Sequence, residues 1–165
     1  MACVVEATGQ EILDALEMAS RNTMAEYVSE SVDENGNKVY NAVGEMGGFL
    51  QVSGLTYEIH TGVASSAEKD ENGMFTRVSG EYRVKNVMVG GQPLELDKTY
   101  TLASHNYMLL GHGDGYTMFD GCEVLGEDMM VDNQVLITYI TTTLGGVVGE
   151  QYANPYGDGR IVAVE

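Results

Sequence analysis

The spacing of apolar residues changes several times along this chain, and each change marks an element. Residues 3–7, CVVEA, form a short apolar run of β character. After Thr8 and Gly9 the spacing becomes helical. Ile12, Leu16 and Ala19 share a face with Leu13 and Ala15 beside it, whereas Gln10, Glu11, Asp14 and Glu17 fall elsewhere. This predicts an amphipathic helix ending near Asn22. The chain is then polar as far as Glu45, and the tetrapeptide DENG, found at Asp33 and again at Asp70, reads as a turn in both places. Two β-rich runs follow at 49–52 and 55–59; in the second, Leu55, Tyr57 and Ile59 alternate with Thr56, Glu58 and His60. Gly54 between them predicts a bulge or a close backbone approach, and residues 62–76 read as a loop.

A further β-run leads to Gly90-Gly91, a dipeptide suited to reversing the chain. Pro93 and Asp97-Lys98 mark the interval before a strand at 99–103. Residues 131–146 predict a second helix, with Asp132 as its cap, Leu136, Ile140 and Leu144 at four-residue spacing, and Gly145-Gly146 as its stop. The β-branched residues from Ile137 to Thr143 weaken that helix. After a turn in NPYGDGR, a last strand starts at Arg160. The predicted fold is α+β: a mixed, largely antiparallel sheet with two main helices.

Length and charge narrow the possibilities. The 165 residues suit a single domain spanning 1–165, and 44% hydrophobic residues with 21 glycines describe a folded, turn-rich chain. The formal charge of −17, from 25 acidic and 8 basic side chains, repels polyanions, so nucleic acid and anionic membrane surfaces are poor partners. No apolar run reaches the length of a membrane span, so no membrane insertion is expected. The N-terminal stretch MACVVEATG lacks the basic flank and apolar core of a signal peptide and starts inside a strand, as expected of a piece excised from a longer chain. Cys3 and Cys122 allow at most one bridge, and two separate buried thiols are the expectation. Neither DENG is an EF-hand loop, because its glycine comes three residues after the first aspartate, where that loop needs it at the sixth position.

The candidate chemistry lies in residues 104–120, SHNYMLLGHGDGYTMFD. Glycines 111, 113 and 115 free the backbone for tight turns and close approach. Tyr107 offers an aromatic face, and Asp114 a carboxylate on the Gly-rich turn. Together they suit a flat ring and a diol: the ring against Tyr107, the hydroxyls donating to Asp114, with Asn106, Gly113 and Gly115 shaping the pocket. The same residues also read as a surface turn in which Tyr107 and Tyr116 only pack. Nothing resembles a catalytic or metal constellation. A two-metal phosphoesterase needs several His, Asp and Asn ligands around ions about 3.5–4 Å apart. Here only His60, His105 and His112 occur, none in such a signature. His105 reads as a packed or loop-supporting residue and His112 as a loop residue within reach of a ligand.

The succession VVEATGQEILDALE, GGFLQVSGLTYEI, TYTLASHNYML and GDGYTMF resembles the C-terminal domain of the 5′-nucleotidase family, which includes UDP-sugar hydrolases and 2′,3′-cyclic nucleotide phosphodiesterases. The resemblance runs over essentially the whole chain. It implies a secreted, cell-wall-associated or periplasmic hydrolase of two domains. An N-terminal metallophosphoesterase domain holds two divalent metal ions, and the C-terminal domain binds the nucleoside or nucleotide substrate and no metal or other cofactor itself. It further implies that Tyr107 stacks on the base and Asp114 accepts from the ribose hydroxyls, and that this chain alone is inactive. The family's second stacking aromatic and its substrate-binding arginines lie upstream of, or at, the start of this chain, where Ala2 stands near the aromatic's position. His112 replaces a glycine found in many members. A non-catalytic acidic interaction module that keeps the fold is the alternative.

Overall fold

Strand β1 (Ala2–Thr8) occupies the middle of a three-stranded antiparallel sheet, between β7 (Thr99–His105) and β8 (Glu123–Gly126). Its alternation sends Cys3, Val5 and Ala7 inward, all fully buried. The chain here is a computed structural model that describes residues 1–23, 34–36, 47–153 and 157–165. Helix α1 (Gly9–Ser20) starts at a capping box: the Thr8 hydroxyl accepts the Glu11 N–H at 3.3 Å, and the Glu11 carboxylate accepts the Thr8 N–H at 2.7 Å. Gly9 is required at its first position, since a Cβ there would lie 2.3 Å from the Glu95 carbonyl oxygen.

The expected face of α1 is buried through Ile12, Ala15, Leu16 and Ala19. Glu17 departs from the polar face predicted for it and is fully buried. Its carboxylate accepts the backbone N–H groups of Arg83 at 2.9 Å and Val84 at 3.0 Å, and the Ser66 hydroxyl at 3.3 Å. Buried donors that no ladder satisfies draw the charge inward.

The second sheet is mixed, in the order β6 (Gln92–Pro93), β5 (Val84–Val89), β2 (Leu55–His60), β9 (Ile161–Val164). β2 pairs antiparallel with β5 and parallel with β9. Tyr57 and Ile59 are buried as their alternation predicts. Gly90 and Gly91, with φ of 57° and 79°, make the expected reversal from β5 to β6. The α+β prediction with a mixed, largely antiparallel arrangement therefore holds.

Four local expectations need correction. Residues 49–52 form no strand; Phe49, Leu50 and Val52 pack on the core without a ladder. Gly54 serves a left-handed turn, φ 78°, and a Cβ there would meet nothing within 4 Å, so no close approach demands it. The segment 62–76 contains most of a hairpin, β3 (Ala67–Lys69) and β4 (Phe75–Val78), whose turn is the second DENG. There the Asp70 carboxylate accepts the N–H groups of Asn72 and Met74, both at 2.9 Å. Asp33 of the first DENG lies outside the described residues, and Glu34–Gly36 make a turn.

The fourth correction concerns the predicted second helix. It is α for only one stretch, α3 (Asp132–Thr138), and continues as a π-turn over Tyr139–Thr143. Thr141 and Thr142 donate their hydroxyls back to the carbonyls of Ile137 and Thr138, which competes with the regular ladder. The four-residue spacing does not produce a buried face: no residue of α3 is buried, Leu136 is 61% exposed, and Ile140 and Leu144, beyond α3, are half-buried. Asp132 is not the cap. Val131 stands there, and the Asp132 carboxylate meets the Met1 amine at 2.9 Å and His105 at 2.7 Å. Those contacts, the amine first, hold its carboxyl below the usual carboxylate range.

Candidate functional site

β7 delivers its C-terminal end directly into the single turn α2 (Asn106–Leu109). His105 caps that turn: its Nδ1 accepts the Tyr107 N–H at 3.4 Å, while Nε2 faces Asp132. The histidine therefore supports the loop, as its position suggested. Its ring stands edge-on to Tyr107, with centroids 6.4 Å apart and planes at 82°. Asn106 is committed at both ends of its amide, accepting from the Met1 amine at 3.1 Å and donating to Asp128 at 3.2 Å.

Tyr107 leaves 57% of its surface exposed. One side of the ring lies on the backbone of Gly113, where a Cβ would fall 2.1 to 2.4 Å from the ring atoms. Gly113 is a glycine for that close approach. The structure thus brings Tyr107 next to the turn that carries Asp114. His112 and Asp114 both adopt left-handed backbone, φ 54° and 55°, a conformation Asp tolerates better than most residues. The Asp114 side chain lies over Gly48, where an added Cβ would come within 3.1 Å of its Cβ. The buried Tyr116 hydroxyl donates to the Gly48 carbonyl and ties the two segments together. Gly115, φ 89°, meets the hairpin turn instead: a Cβ there would lie 2.3 Å from the Gly73 carbonyl oxygen.

An open hollow of about 320 Å³ lies beside this turn, lined by Asn106, Tyr107, Leu110, Gly111 and Glu127. Asp114, Gly113 and Gly115 are not among its walls. Gly48 and Glu127 have no part in the site read from the sequence, and Tyr116 has one there only as a packing residue, which its full burial matches. A Gly-Gly pair such as 47–48 is the kind of local signal that allows close approach, whereas nothing local marks Glu127. His112 Nε2 stands 3.8 Å from Asp120, and His60 Nε2 is 2.9 Å from Glu58. Among the described residues no group of three or more His, Cys, Asp or Glu side chains could hold a metal ion, and no helix is long and apolar enough to cross a membrane. The donor set of a two-metal centre is thus not found among them.

The family model of the 5′-nucleotidase C-terminal domain matches residues 1–121. The chain belongs to the 5′-nucleotidase C-terminal domain family. Protein UshA of Yersinia enterocolitica is 42% identical over 57 residues, which is 34% of this chain and 10% of that protein. The 5′-nucleotidase precursor of Thermus thermophilus superposes with a TM-score of 0.64 at 25% identity, over 99% of this chain and 25% of its own. The sulfate thiohydrolase SoxB of the same organism, solved with glycerol, superposes with a TM-score of 0.57 at 18% identity, over 99% of this chain and 22% of its own, and shows the fold alone. The chain thus spans about a quarter of these structures or less. The family match ends before α3 and β9, whereas the structural matches take in nearly the whole chain.

Both cysteines are free; Cys3 is fully buried and Cys122 partly so. Burial, with the Glu11 carboxylate 3.6 Å away, pushes the Cys122 thiol up to about 11. Because the thiolate is the nucleophile, alkylation of Cys122 by iodoacetamide should be slow at neutral pH and keep accelerating as pH rises towards that value. Glu11→Gln should speed it at fixed pH. A rate already level near pH 9 would contradict this environment.

Proposed function

We propose that this chain is the nucleoside-recognition domain of a 5′-nucleotidase-type phosphoesterase. The observation that carries the reading is the Tyr107 ring, largely exposed on one side and seated on Gly113 beside Asp114. A base stacks on the exposed ring, and the ribose hydroxyls donate to the Asp114 carboxylate. Asn106 and the close approach at Gly113 hold the platform, and Gly115 holds the turn to the β3–β4 hairpin. Neither stacking nor diol recognition needs positive charge, which suits a domain at −17. Hydrolysis of the phosphate ester belongs to an N-terminal metallophosphoesterase domain of the same polypeptide with two divalent metal ions, in a secreted, cell-wall-associated or periplasmic enzyme. This chain by itself is catalytically silent.

The interaction-module reading is favoured by a different observation: most exposed large apolar side chains fall between Val124 and Tyr152. Calorimetric titration with adenosine, without added metal, separates the two. The chain should bind adenosine weakly. Tyr107→Ala with Asp114→Ala should weaken binding at least tenfold, given about 1–3 kcal/mol for one base–aromatic stack. Equal binding by both proteins, or by neither, would remove the support for a nucleoside site here.

A further inference from the structure

The hollow beside Tyr107 has a wall that the stacking and diol contacts leave unused. Glu127 stands there, in the connection between β8 and α3. Its backbone neighbourhood is fixed. Ala2 donates to the Met130 carbonyl at 2.7 Å and accepts from the Met129 N–H at 3.0 Å. The next residue, Asp128, takes a left-handed φ of 49° and accepts from Asn106 at 3.2 Å. Glu127 itself is exposed, and its carboxylate forms no hydrogen bond or ion pair with a described residue. The other walls contribute little to recognition: Asn106 is committed at both ends, Leu110 is apolar, and Gly111 has no side chain. Apart from the Tyr107 hydroxyl, Glu127 is the polar side chain available to a ring in the hollow.

We propose that Glu127 reads the edge of the base and makes this site prefer guanine. The inference rests on the nucleoside reading above and deepens it. An ionised carboxylate only accepts hydrogen bonds, through two oxygens side by side. Guanine offers a matching pair of parallel donors, N1–H and the N2 amino group, so both oxygens are used at once in charge-assisted bonds. Hypoxanthine keeps N1–H but lacks the amino group. Adenine and cytosine set one amino group beside a ring nitrogen lone pair, which opposes the second oxygen. Uracil places its N–H between two carbonyls. A site that presents an acceptor pair and no donor therefore discriminates by the donors each base lacks. The neutral amide of Gln reverses the match, because it accepts from the adenine amino group and donates to the neighbouring ring nitrogen.

The test is titration of guanosine, inosine and adenosine into the 165-residue chain, Glu127→Gln and Tyr107→Ala. Guanosine should bind the unaltered chain about tenfold more tightly than inosine or adenosine, within the range of one bidentate base contact. Glu127→Gln should abolish that preference and bring adenosine level with or ahead of guanosine. Its thermal midpoint should stay unchanged, since the residue is exposed. If Tyr107→Ala weakens all three nucleosides but guanosine has no advantage, or keeps it in Glu127→Gln, the guanine inference is overturned and the stacking site stands. If no nucleoside binds, or Tyr107→Ala changes nothing, both readings fall.

Discussion

Glu17→Ala is expected to lower the thermal midpoint of this chain by about 6–12 °C, from a loss of about 3 kcal/mol and a slope of about 2–4 °C per kcal/mol for a domain of this size. The replaced carboxylate is fully buried and satisfies the N–H groups of Arg83 and Val84 together with Ser66. The Ser66 hydroxyl keeps the Glu81 carbonyl at 2.8 Å, whereas alanine leaves the Arg83 and Val84 N–H groups without an acceptor, in a place water does not reach. It also removes a negative charge that offsets the cost of burying the Arg83 guanidinium. That guanidinium is tied instead to carbonyls, of Ser20 at 3.0 Å and of Thr61 at 3.4 Å, so its charge stays in the interior when Glu17 is gone. Glu6→Ala, on the exposed positions of β1, is the matched control and should change stability by no more than about 0.5 kcal/mol. Thermal unfolding of the two variants side by side measures the difference. A midpoint for Glu17→Ala within two degrees or so of the unaltered chain would show that the network does not hold α1 to β5.

Gly113→Ala is expected to weaken nucleoside binding as far as Tyr107→Ala does, by about tenfold or more on the scale of one base–aromatic stack. The new methyl would fall 2.1 Å from the nearest ring atom, so the ring must swing off the turn. Gly113 is not among the positive-φ positions, so the backbone accepts alanine and the effect is confined to the ring. Because Tyr107 is 57% exposed, moving it costs little folding energy, and the thermal midpoint should fall only slightly. Gly115→Ala should behave in the opposite sense. Its φ of 89° and the nearby Gly73 carbonyl make it a stability variant first. Calorimetry with adenosine and thermal unfolding on both variants separate the roles. Full affinity in Gly113→Ala would mean that the seated position of Tyr107 is not the one that binds.

Much of this architecture is legible in the order of residues. The alternation of Cys3, Val5 and Ala7, the Thr8–Glu11 capping pair and the face of Ile12, Leu16 and Ala19 specify a strand feeding a helix, because period and capping act within a few residues. Gly90-Gly91 likewise specifies its own reversal through the φ it permits. The loop holding Tyr107 and Asp114 was legible as a candidate for the same reason, since glycines beside an aromatic and a carboxylate are local facts.

The α+β class, the family resemblance and the residues offered by the 104–120 loop all follow from the order of residues. Which distant groups they meet depends on the folded chain. Glu17 turns inward because Arg83 and Val84 arrive with unpaired N–H groups; Asp114 rests on Gly48; and Ala2 fixes the turn that brings Glu127 to the hollow. The folded chain also leaves Leu136 of α3 exposed and Ile140, in the π-turn, only half-buried, although the two have helical spacing. Spacing along the chain records which residues share a face, whereas the group that covers that face, or satisfies a buried donor, comes from a segment whose approach only the folded chain fixes.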